Sequence, residues 1–215
     1  MKNRTKIFIA LLAALPIAMG ITGCSSGGVN GEGNSSYESS TTSAVRSNVY
    51  NDTGWEYISK GQYDSAIKYF NDVLAASPTE GEKAEANNGI GWAKAHNGKL
   101  KDGMKWFQLA SDLNNDAKVG LAAAYIQEGS LSDLEEVINL LYVQLGNSKP
   151  NFTYTPGRAT GVSNAEVHAM LGYAFSATGD KEKADEQLNY AKELQPNYAG
   201  TRIAQLISVI EFLNN

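Results

Sequence analysis

Gly61-Gln62-Tyr63-Asp64-Ser65-Ala66-Ile67-Lys68-Tyr69-Phe70, running on to Pro78, is the stretch that decides the fold. Before it, Tyr50, Gly54 and Tyr57 recur at helical spacing. The same relative places are filled near the C-terminus by Leu171, Gly172, Phe175, Gly179, Ala184, Leu188, Ala191 and Pro196. The spacing has a mechanical reason. Small residues such as Gly172 and Ala184 let two helices approach closely, and Phe175 and Leu188 fill the space above and below. Gly179 suits a turn that needs φ > 0. The pattern predicts pairs of helices in series, an all-α chain.

Both stretches resemble the tetratricopeptide repeat, a helix–turn–helix unit. The aromatic, small-residue and proline signature is matched by Tyr50, Gly54, Tyr57, Gly61, Tyr63, Ala66, Phe70 and Pro78; Thr53 and Val73 depart from it. Two weaker units lie between. One carries Ile90, Gly91, Gly98, Leu100, Phe107 and Ala110, the other Leu121, Ala122, Tyr125, Gly129, Leu131, Ile138 and Leu141. Neither keeps the terminal proline, and Gly103 or Leu134 stands where the family has Ala. The resemblance implies a solenoid of about four repeats over residues 47–215. Ile203, Leu206, Ile207, Ile210 and Leu213 then read as a capping helix over the last repeat.

Outward from the repeats the texture changes. Residues 24–46 are mostly Ser, Gly, Asn and Thr, too poor in apolar groups to offset their own chain entropy. They read as a disordered tether spanning about 25 Å root-mean-square. Ahead of them, Lys2, Arg4 and Lys6 precede an apolar stretch from Ile7 to Gly20, too short to span a bilayer. Ile21-Thr22-Gly23-Cys24 follows at once. This resembles the lipobox of bacterial lipoproteins, with Ile21 and Thr22 where the family usually has Leu and Ala. The resemblance implies a signal peptide over residues 1–23, cleavage before Cys24 and a covalent lipid on its sulfur. Two or three acyl chains anchor stably where one is marginal. The mature part would carry 15 basic and 23 acidic residues, so the lipid rather than charge would hold it at the membrane. With Ser25 after the cysteine, the resemblance implies the outer membrane where one exists, and otherwise the outer face of the cell membrane.

In such arrays the first helices line a concave face. The resemblance puts Trp55, Trp92 and Tyr173 on that groove, with Asn51 and Asn88 one turn earlier and Ile58 and Ile126 one turn later. This would form an apolar trough with amides to read an extended backbone. The alternative is that these aromatics pack between repeats or under the chain itself. The insert at residues 146–163, with Phe152, Tyr154, Pro150 and Pro156, is long for a loop inside a compact domain. It reads equally as a plug across the groove, a partner contact or a surface loop.

No catalytic or metal constellation is present in the pattern. His96 and His168 lack a His or carboxylate at ligand spacing, and the single cysteine is assigned to lipid. Scattered Asp and Glu, as from Lys181 to Glu186, read as solvated helix surface. The net charge of −5, without a dense basic stripe, argues against nucleic acid. The expected function is a non-enzymatic, membrane-anchored adaptor that binds an envelope protein or peptide segment, with no cofactor beyond the lipid. The alternative is a surface lipoprotein whose groove aromatics stack on a glycan or other small ligand.

Overall fold

Four glycines set the turns. Gly61, Gly98, Gly129 and Gly179 have φ between +71° and +96°, a region closed to most side chains, and each ends one helix just before the next begins. The computed structural model describes residues 38–214. The signal peptide, Cys24 and residues 24–37 of the expected tether lie outside the described residues.

Among the described residues there are nine α-helices and no strand. The first unit pairs α1 (Glu38–Ser59) with α2 (Tyr63–Ala75), and the second pairs α3 (Glu80–His96) with α4 (Leu100–Ala110). The third pairs α5 (Asn115–Glu128) with α6 (Leu131–Ile138); the fourth pairs α7 (Asn164–Thr178) with α8 (Lys181–Leu194). Helix α9 (Arg202–Asn214) closes the series. Polar caps start several of them. Thr79, Ser130 and Ser163 each form a reciprocal capping box with an acid three residues on, and Asn114 accepts from the Ala117 amide. After α6 the coil widens into a π-type segment, Asn139–Leu145, and the Gly146 amide reaches back five residues to the Leu141 carbonyl.

One boundary differs from expectation. Helix α1 begins at Glu38, so residues 38–46 are helical and not part of the tether. No Gly or Pro interrupts residues 34–53, so nothing in the chain breaks the helix there once the repeat holds its C-terminal half.

The core explains the small residues. Fully buried Phe70 of α2 sits in a notch between Gly54 of α1 and Gly89 of α3, where added Cβ atoms would lie 2.6 and 2.2 Å from its ring. Phe107 of α4 repeats the device between Gly91 and Gly120, both at 2.5 Å. Each wedge therefore joins its own unit to the next. At the far end Ile203, Leu206, Ile207 and Ile210 of α9 are buried, mainly against α7, which covers the last repeat as expected.

Candidate functional site

The insert between α6 and α7 folds back over the inner face of the array. Its anchors come from all four units. In the fourth unit, buried His168 has one ring nitrogen 2.7 Å from Gln187 Oε1 and the other 3.0 Å from the Phe152 carbonyl. The Gln187 amide donates to the Pro150 carbonyl at 3.0 Å, and the Phe152 ring lies 4.8 Å from the imidazole. In the third unit, Asp116 on the first turn of α5 accepts the Tyr154 hydroxyl at 2.7 Å and the Gly157 and Arg158 amides at 3.1 and 2.9 Å. Its place at a helix N-terminus also suits a carboxylate.

Arg158 reaches furthest. Its Nε donates to Glu85 of α3 at 2.6 Å and its Nη1 pairs with Asp52 of α1 at 2.8 Å. Its guanidinium also lies 6.0 Å from the Trp55 ring. Glu85 is itself held by the Trp55 indole N–H at 2.8 Å and the Asn114 amide at 2.9 Å. Burial alone would lower the Arg158 pKa, but the Glu85 and Asp52 carboxylates outweigh it and hold the guanidinium above its usual value. Burial and then the bond to Asp116 push the Tyr154 phenol up, so it is a donor at any physiological pH. Beyond Arg158, Thr160 and Val162 are buried, and Arg202 of α9 ties the Gly161 carbonyl to Glu166.

The expected groove residues therefore face neither solvent nor an open trough. Asn51, Trp55, Ile58, Asn88, Trp92, Ile126 and Tyr173 are all at least nine-tenths buried, from Asn88 at 0 % to Tyr173 at 8 %. Packing between repeats and the folded insert account for this. The indoles of Trp55 and Trp92 make edge contacts with Phe70 and Phe107, so they are core and offer no open face for a sugar. Of the two insert aromatics, Tyr154 is buried and Phe152 half-buried. The plug reading of the insert is the one the structure adopts.

Beside Arg158 a cleft of about 400 Å³ stays open, lined by Glu85, Asn114, Asn115, Asp116 and Thr155, with exposed Leu113 at its rim. The expectation of solvated helix surface fails for Glu85 and Asp116, which the insert covers, and holds for Asp52, which stays exposed. Asp116 is 3 % exposed. The available signal was Arg158 in a Pro-Gly-Arg turn, a cation inside an aromatic insert that needs a counter-charge.

Buried side-chain polarity remains along α3. Asn88 has neither amide atom in a protein hydrogen bond, and Trp92 Nε1 and His96 Nε2 are also unpartnered. Burial and the Arg202 charge push the His96 imidazole below its usual value, against a raising contribution from the Thr160 backbone. Among the described residues, no group of three or more His, Cys, Asp or Glu is placed to hold a metal. None of the described helices is long and apolar enough to cross a membrane.

These features define a helix-pair repeat solenoid whose concave face is covered by an insert of its own chain. The first and last units are similar to the tetratricopeptide repeat: residues 47–80 and 165–198 match that family's pattern. The pairs α3/α4 and α5/α6 continue the same architecture between them. No curated protein matches the sequence. Such repeats suggest a role in protein–protein interaction, and the all-helical fold typically serves as a non-enzymatic scaffold.

Proposed function

We propose that this protein is a lipid-anchored adaptor of the bacterial cell envelope, held by diacylglycerol on Cys24 and binding an envelope protein through the inner face of its repeat array. The single observation that carries the reading is the chemistry of that face. Carboxylates from three successive units converge on one short segment, residues 154–158, as they would on a bound peptide. The tetratricopeptide matches at both ends of the array support the interaction role. The resemblance of Ile21-Thr22-Gly23-Cys24 to a lipobox supports the anchor, and on that reading the protein sits in the outer membrane where one exists and otherwise on the outer face of the cell membrane.

Two measurements test it. Mass spectrometry of the mature protein is expected to show a chain beginning at acylated Cys24; an unmodified cysteine overturns the anchor. A photo-crosslinking residue in place of Leu113, at the cleft rim, is expected to give a discrete adduct with one envelope protein in living cells. Absence of any adduct, or adducts with the protein itself alone, overturns the adaptor role.

A further inference from the structure

Residues 150–162 lie on the inner face in the manner of a bound peptide. Two backbone carbonyls, of Pro150 and Phe152, are read by Gln187 and His168. Two side chains are read by carboxylates: the Tyr154 hydroxyl by Asp116, and the Arg158 guanidinium by Glu85 and Asp52. The receptor groups sit on α1, α3, α5, α7 and α8, whereas the segment is one continuous strand of chain.

The fit is incomplete in one place. Glu85, Asn88, Trp92 and His96 follow each other along one stripe of α3 at spacings of three and four residues. Glu85 meets Arg158 at one end, and His96 feels the Thr160 backbone at the other. Asn88 lies between them, fully buried, with its amide oxygen and nitrogen both unpartnered. The Asn51 amide oxygen on α1 is in the same state. Groups of this kind bond extended backbones, and buried polar atoms are ordinarily satisfied. The insert satisfies the carboxylates and leaves the amides. A neighbouring cleft of about 400 Å³ opens directly onto Glu85, Asp116 and Arg158, giving an incoming chain a place to begin.

We propose that the inner face is the receptor for a basic partner segment carrying a tyrosine and, four residues later, an arginine, and that residues 150–162 are its intramolecular competitor. The partner is defined by chemistry. The Glu85 and Asp52 carboxylates in an acidic chain demand a cation, the Asp116 pocket takes a phenol hydroxyl, and the free amides take backbone. Binding then exchanges one segment for another, and the insert sets the threshold that a ligand must exceed. This deepens the adaptor reading and rests on it only for the partner being a protein of the envelope.

The probe is a fluorescein-labelled synthetic peptide with the sequence of residues 150–162, measured by anisotropy against the purified folded chain. A double variant, Tyr154→Phe with Arg158→Ala, loosens the insert but keeps its ring. It is expected to bind the peptide at least tenfold more tightly than the unmodified protein. Replacing the peptide's arginine by alanine, or adding Asp116→Asn to the double variant, is expected to weaken binding at least tenfold. Equal affinity of the unmodified protein and double variant, or indifference to the peptide's arginine, overturns the proposal. Should the double variant lose its helical circular dichroism, hydrogen exchange on the unmodified protein decides. Excess peptide is expected to accelerate exchange in residues 150–162, and no change overturns the competition. A concentration-dependent dimer abolished by Arg158→Ala would give the site to a second copy and also overturn it. Failure here beside a crosslinked envelope adduct would leave the adaptor standing, with its partner at the cleft rim and not in the place of residues 150–162. Peptide binding without any such adduct would uphold the receptor face and overturn the envelope partner.

Discussion

Tyr154 and Asp116 stand 38 positions apart in the chain, yet the tyrosine hydroxyl donates to the aspartate at 2.7 Å inside the protein. The same carboxylate accepts two amides of the insert, so one side chain fixes both the ring and the turn after it. Asp116→Ala leaves a buried phenol and two amides without their acceptor. It is expected to cost roughly 2–3 kcal/mol in urea unfolding. Tyr154→Phe, which removes a single bond and keeps the packing, should cost about half as much. Equal stability of all three proteins would mean that the insert is not held through Asp116.

Glycine in a helix interior usually weakens it, and Gly81 and Gly89 of α3 respond to alanine in opposite ways. A Cβ at Gly89 would lie 2.2 Å from the buried Phe70 ring, whereas one at Gly81 meets nothing within 4 Å. Gly89→Ala should therefore destabilise by roughly 1–3 kcal/mol or more through overpacking. Gly81→Ala should be neutral or stabilise by up to about 1 kcal/mol. Thermal unfolding of the two variants side by side checks the pair.

Acid should weaken the fold through His96. Its folded pKa lies below the ordinary value of 6.5, so in the window beneath that value the unfolded chain takes the proton more readily. Stability attributable to this group is fully present above pH 6.5 and declines as pH falls through that value toward the folded pKa. His96→Asn should flatten the urea midpoint between neutral pH and about pH 5. An unchanged slope would exclude His96 as the titrating group.

Arg158 bonds two carboxylates, but its side chain and that of Asp52 remain 33 % and 67 % exposed. Solvent screening makes such a pair weak, so Arg158→Ala is expected to shift stability by only about 1 kcal/mol. The larger effect is local. Trp55, whose indole shares Glu85 with Arg158, should show red-shifted emission, and tryptic access at Lys149 should quicken. A large global loss with unchanged emission would contradict this assignment.

The repeats were legible because their signature is local. Phe70 and Gly54 lie sixteen positions apart, and the helix-pair spacing that brings them together is written in one unit. The terminal helix was legible for the same reason, as a periodic run of Ile and Leu. The inner face was not. A sequence places Trp55 and Trp92 on a helix stripe but cannot say what covers the stripe; here the repeat packing and the insert do. The insert's key pairs, Tyr154 with Asp116 and Arg158 with Glu85, span 38 and 73 positions, and no periodicity connects them. The start of α1 was missed because Ser and Thr carry little helical preference of their own, and the helix there is an extension of a packed element.

A linear array of repeats is a nearest-neighbour system, in which end units fray without consulting the middle. The segment from Pro150 to Val162 changes that arithmetic. By bonding α1, α3, α5 and the α7/α8 pair at once, it makes the first unit's stability depend on the last. Such an array should melt as one cooperative body while the segment is seated and unravel in stages once it is displaced. Occupancy of the inner face would then be readable from any distance as the width of a single unfolding transition.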